Sequence, residues 1–138
     1  MSYDLAVFAP EAAPKTRVDF LAWFEQQTTW QEPHGYDDPV VSVPALRDWF
    51  LDMITGFPAM NGPYAPKGVS EDDLRLTDYS IGKSLIYVAF AWSKAETAFD
   101  TMFRLAEKHR VGFYNVSSSI GDVWLPDSSG KLVMAFQV

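Results

Sequence analysis

The sequence predicts an α+β domain built on a single mixed or antiparallel sheet of about 4–6 strands, packed by three helices. Three observations predict it. Apolar residues recur at helical spacing in three segments: Phe20, Trp23, Phe24; Leu46, Trp49, Phe50, Met53; and Ala98, Phe99, Met102, Phe103, Ala106. Short β-prone runs lie around them, and one, Leu85–Trp92, is almost continuously apolar, as a covered central strand would be. Strand, helix and strand then follow one another from Leu85 to Val116, a unit whose two strands can run parallel through a right-handed crossover. The order β-α-α-β-β-α-β-β(-β) has the character of a split β-α-β arrangement. The 138 residues fit one domain, 1–138, and 48% apolar residues supply its core without a metal or disulfide.

The first strand covers residues 3–9 and ends at Pro10. Helix one opens at Thr16, whose hydroxyl caps it with Asp19 three residues on, and fades at the β-branched pair Thr28–Thr29. Gln31–Val43 is a loop. Helix two starts at Pro44, a favoured first-turn residue, and Gly56 and Pro58 end it. Pro58–Arg75 is the longest irregular stretch, with Asn61-Gly62 supplying a turn. Leu76–Ile81 alternates as a strand, and Gly82-Lys83 is a turn or bulge before the central strand. Ser93-Lys-Ala-Glu96 reads as a capping box for helix three, and Gly112 as its stop. His109 in its last turn reads as a cation favoured by the helix dipole. Phe113–Val116, Val123–Leu125 and Leu132–Phe136 complete the sheet. The simplest packing puts the helices on one face. A second puts helices one and two opposite helix three, which the unbroken apolarity of Leu85–Trp92 favours.

Charge is the strongest functional signal. Residues 1–75 hold 12 Asp and Glu against 5 Lys and Arg, whereas residues 76–138 hold 6 against 6. The whole net charge of −7 therefore belongs to the N-terminal half, and an unbalanced face of this kind points to a basic partner. It argues against nucleic acid and anionic membrane, both of which select basic surfaces. The absence of cysteine removes thiol catalysis, Cys-ligated zinc and disulfides, and it fits a reducing compartment. The N-terminus lacks the basic and apolar regions of an export signal, and no apolar run reaches the roughly 18 residues of a membrane helix. A cytoplasmic protein is the expectation.

No catalytic set emerges. His34 lies beside Asp37 and Asp38, which reads either as a metal or His–carboxylate site or as an exposed acidic loop; zinc-type spacing is absent. Gly82-Lys83-Ser84 imitates the end of a phosphate loop, but Thr77 stands where that loop needs glycine. Ser117–Ser119 lacks a nucleophile elbow, and Glu71, Asp72 and Asp73 lack EF-hand spacing. No cofactor is expected. Trp30, Tyr36 and Tyr64 fall outside the core spacing, in loops rich in Pro, Gly and acid. Such aromatics anchor a loop to the core or anchor an interface.

The opening Met1-Ser2-Tyr3-Asp4-Leu5-Ala6-Val7, with the apolar strand Leu85–Ala91, the Ser93–Arg110 helix and the aromatic strand Phe113–Val116, resembles a loose group of small uncharacterised bacterial proteins with an M-S-Y-D-L start. The resemblance implies a small cytosolic partner or immunity-type protein more than an enzyme, and it transfers no catalytic residue. The leading expectation is an immunity or antitoxin-type module that covers a basic protein, such as a toxin, with its acidic half. Trp30, Glu32, Tyr36, Asp37, Asp38, Tyr64, Glu71, Asp72 and Asp73 are its candidate contacts. The alternative is a small-molecule binder or small enzyme with a site near His34, Asp37, Asp38 and the 58–75 loop. A homo-oligomer pairing its exposed aromatics is a third reading.

Overall fold

In the computed structural model, which describes residues 1–70 and 72–138, the apolar runs become six strands and three α-helices in the expected order. These are β1 (Tyr3–Phe8), α1 (Arg17–Gln27), α2 (Pro44–Met53), β2 (Asp78–Ile81), β3 (Leu85–Phe90), α3 (Ala95–His109), β4 (Gly112–Tyr114), β5 (Asp122–Pro126) and β6 (Leu132–Gln137). The sheet order is β2-β3-β1-β4-β5-β6, and every neighbouring pair is antiparallel. Because β3 and β4 both run against β1, they run parallel to each other with β1 between them. The β3-α3-β4 unit is thus a crossover split by the N-terminal strand.

Alternation along β1 divides the core in two. Leu5 and Val7 face α2 and α3, together with Ile86, Val88 and Phe113. Ala6 and Phe8 face α1, together with Leu85, Tyr114 and Val123. The sheet is therefore covered on both faces, but α2 joins α3 and only α1 crosses to the other side. The reason lies in the stripes. Helix α2 buries Leu46, Trp49, Phe50 and Met53 completely, whereas α1 fully buries Phe20 alone. Among the described residues the buried Trp49 Nε1 has no acceptor, so this ring is held by packing rather than by a hydrogen bond. Polar contacts tie α2 to α3: Asp52 Oδ2 accepts from Lys108 Nζ at 2.8 Å and pairs with His109 Nε2 at 2.7 Å. His109 does sit in the last turn of α3, and its ring is also part of this cross-helix link.

Local signals set most boundaries. Thr16 caps α1, accepting from the Asp19 backbone N–H at 3.4 Å. Thr28 and Thr29 end it by turning their hydroxyls back onto the Phe24 and Gln26 carbonyls, at 3.0 and 2.7 Å. Pro44 occupies the first turn of α2. Two expectations fail at α3. Ser93 does not cap it; the chain enters through a 3₁₀ turn, Trp92–Lys94, in which the Lys94 N–H reaches the Ala91 carbonyl at 2.9 Å. Gly112 does not stop it either. Arg110 takes the left-handed position at φ 56°, and the Val111 N–H reaches back to the Ala106 carbonyl at 3.0 Å. Gly112 serves packing instead: it lies in β4 under the Phe8 ring, where a Cβ would overlap the ring.

The start of the long 58–75 stretch is pinned to Thr77, just ahead of β2. The Thr77 N–H reaches the Pro58 carbonyl at 2.9 Å, and the Met60 N–H reaches the Thr77 carbonyl at 3.0 Å. At the other end of β2, the Ile81 N–H reaches the Tyr36 carbonyl at 2.9 Å. Gly62, at φ 87°, supplies the expected turn and lets the loop close against the Asp37 backbone.

Two outcomes follow. Gly112→Ala forces a methyl into the Phe8 ring and should lower stability by about 1–3 kcal/mol, read as a reduced urea midpoint with an unchanged slope. Lys108 first, then His109, holds the Asp52 carboxyl below its ordinary range. A depressed native pKa stabilises above the unfolded value and is lost as pH falls through the native one. Asp52→Asn should therefore have the lower midpoint at about pH 6, and the difference should close at about pH 3 or below.

Candidate functional site

Strand register arranges a polar row on the face that α1 only partly covers. Asp4 and Asp78 both pair with Ala89, and Ala6 and Ser80 both pair with Tyr87. Directly paired residues share a face, so Asp4, Ala89 and Asp78 lie side by side across three strands. The last turn of α1 and the turn after it stand over this row. They leave a cleft of about 370 Å³ lined by Phe24, Thr28, Trp30, Tyr87, Ser80, Asp78 and Ala89. A second cleft, of about 530 Å³, shares Asp78 and Ala89 and adds Asp72, Asp73, Ser2, Met60 and Leu74. The two adjoin at β2, and neither has a lysine or arginine in its lining.

The aromatic walls are fixed by one another. The Trp30 ring meets Tyr36 edge-on at 5.1 Å and Tyr87 at 6.3 Å, and Phe24 lies 6.2 Å from Tyr87. Trp30 holds a left-handed backbone at φ 56°, which costs a residue with a Cβ about 1–2 kcal/mol. Packing on both sides keeps it there. The Tyr87 hydroxyl donates to Asp4 Oδ2. Burial first, then this bond to a carboxylate, pushes the Tyr87 pKa up, so the hydroxyl stays a donor. Ser2 Oγ donates to the other oxygen, Oδ1, of Asp4. Both oxygens of Asp4 are thus engaged, while Asp78 is exposed.

The loop between α1 and α2 carries a second arrangement. Glu32 Oε1 accepts from the Lys83 backbone N–H at 3.0 Å and pairs with His34 Nε2 at 2.6 Å. His34 Nδ1 lies 2.7 Å from the Gly35 carbonyl oxygen. Both ring nitrogens therefore face acceptors, an arrangement only the doubly protonated ring satisfies. The Gly35 carbonyl first, then the Glu32 carboxylate, raises the His34 pKa. The Glu32–His34 pair latches this loop onto the β2–β3 turn. With Gln27, Val41 and Ser84 it also lines a shallow cleft of about 370 Å³.

The candidate contacts read from the sequence separate into groups. Asp72 and Asp73 join Asp78 in one cleft, and Trp30 walls the adjoining one. Tyr36 supports Trp30 from behind. Glu32 is bound to His34. Asp38 caps the 3₁₀ turn Pro39–Val41, accepting from the Val40 N–H at 2.9 Å. Asp37 is exposed beside Gly62, and neither Asp37 nor Asp38 bonds His34. Tyr64 is exposed and rests one edge on the buried Phe50 of α2, 5.8 Å away, on the other face of the sheet. Glu71 lies outside the described residues. Sequence reading passed over Phe24, Asp78, Ser80 and Tyr87 as site residues. The alternation of β2 marks Asp78 and Ser80 as its polar face, but only register brings them beside Tyr87 and Asp4.

Among the described residues, no group of three His, Asp or Glu side chains is placed to hold a metal ion, and no helix is long and apolar enough to cross a membrane. No protein family, curated protein or solved structure matches the chain.

The His34 latch has a pH signature. A raised native pKa stabilises fully below the unfolded value, near 6.5, and the gain is lost as pH rises through the native value. His34→Gln should be less stable than the parent protein at about pH 5.5, with the gap shrinking by about pH 8.5 in urea titrations.

Proposed function

We propose that this protein is an acidic protein-binding module of the immunity or antitoxin type, acting in the bacterial cytoplasm to neutralise a basic protein partner. The carboxylates around the β2 edge are the contact surface. One observation carries the reading: these carboxylates have no cation of their own. Among the described residues, Lys108–Asp52 is the only ion pair that uses a lysine or arginine, and it lies between α2 and α3. Asp72, Asp73 and Asp78 instead border adjoining clefts that contain no basic side chain. Charges left unpaired on a chain of net charge −7 speed encounter with a basic surface and repel acidic ones. The resemblance to a loose group of small bacterial proteins with an M-S-Y-D-L start, which implies a partner or immunity-type protein, supports the same reading.

A second reading, a small-molecule binder, draws on the shallow cleft where Glu32 and His34 meet Ser84. It lacks the convergence that acid–base chemistry needs, because Asp37 and Asp38 serve the loop elsewhere.

Affinity capture from the source bacterium, at low and at high salt, tests the proposal. A basic protein should be retained at low salt and released at high salt. With that partner in hand, replacing Asp72, Asp73 and Asp78 together by Lys should slow association by about 10-fold or more, measured by surface plasmon resonance. Capture of no basic protein, or an association rate indifferent to the triple replacement, would overturn it.

A further inference from the structure

We propose that the cleft between α1 and β2 is the seat of one arginine side chain of the basic partner, its guanidinium stacked among Trp30, Tyr87 and Phe24 and paired with Asp78. This rests on the partner reading above and names the chemistry of its central contact. The cleft is walled by rings from three different elements: the last turn of α1, the turn after it, and β3. Aromatic faces attract a cation when water is excluded, and a flat guanidinium stacks on them better than a compact ammonium does. At the end of the cleft stands one carboxylate with a free fork. Tyr87 and Ser2 occupy the two oxygens of Asp4, but Asp78 has no side-chain hydrogen bond or ion pair among the described residues. Ala89, between these two aspartates, keeps the floor low, so that an extended aliphatic stem can lie across it.

Charge complementarity selects the occupant. No lysine or arginine of this chain lines the cleft, so an incoming cation displaces no internal pair. Arginine alone offers both a planar face for the rings and a bidentate edge for Asp78. Asp72 and Asp73, in the adjoining cleft, extend the negative rim past the point where the side chain enters. Arginine is also enriched among the anchors that dominate protein interfaces.

The probe is the capped tripeptide acetyl-Gly-Arg-Gly-amide, with lysine and citrulline versions as comparisons, titrated against the full chain in two-dimensional ¹H–¹⁵N NMR. The arginine peptide should shift the Trp30 indole and the Asp78 and Ser80 amides saturably, with a dissociation constant on the order of 1–10 mM. Trp30→Phe identifies the indole signal. The lysine peptide should bind several-fold more weakly, and citrulline, which keeps the shape without the charge, should not bind. Asp78→Asn should weaken arginine binding about tenfold. Asp127→Asn, in the β5–β6 turn, should leave it unchanged, and each variant should keep a dispersed, parent-like spectrum before titration. Equal shifts from the arginine and lysine peptides, or shifts spread evenly over the acidic surface, would overturn the assignment. If a basic partner is captured but binds Asp78→Asn and Trp30→Phe as tightly as the parent, this cleft is wrong and the partner reading stands. If the tripeptide saturates the cleft and no basic protein is captured, the cleft chemistry stands and the partner reading falls.

Discussion

The N-terminal strand is held on both of its edges, and the rest of the molecule is arranged around that double pairing. Six residues of β1 pair with β3, and three of those same residues also pair with β4. The strand ahead of α3 and the strand after it are thereby held one strand apart. The sheet then has a central strand with no polar edge, and its residues from Leu5 to Phe8 are fully buried. Loss of β1 would leave two half-sheets, each with a raw edge and an uncovered face.

Double pairing also fixes which side chains meet on each face. On the α2–α3 face, Leu5 and Val7 complete an apolar layer closed by two helices. On the other face, the single helix α1 sits over Phe8, Leu85 and Tyr114. Only its last turn reaches the row that begins at Asp4. One helix is too narrow to cover a six-stranded sheet, and the uncovered strip is where the aromatic and acidic residues form clefts. The asymmetry of cover, two helices against one, thus leaves a strip by β2 where apolar walls and free carboxylates adjoin.

Most of the local signals in the sequence were legible. Thr16, Pro44 and the paired threonines Thr28–Thr29 act through backbone groups a few residues away, and the structure uses each as read. The signal failed where a distant group, or a tighter turn nearby, overruled a residue's preference. Gly112 carries the residue type of a helix stop, yet the Phe8 ring, 104 positions away, requires the missing side chain within the strand. Ser93 has the spacing of a cap, yet the chain reaches α3 from the end of β3 through a tighter turn. The candidate contacts divide in the same way. Asp72 and Asp73 were found because acidic triplets stand out in a chain, whereas Tyr87 was hidden inside an apolar run that looked entirely like core.

The sequence by itself determined the order of the elements, the apolar character of the β3 run and the placement of all excess acid before residue 76. These depend on periodicity, capping chemistry and composition, which act over a few residues or need no geometry. Tertiary structure alone decided that α2 joins α3, that Asp4 and Asp78 flank Ala89, and that Trp30 stands over Tyr87. Strand register and helix placement follow from long-range packing of side chains far apart in the chain, and no short window of sequence contains both partners of such a contact.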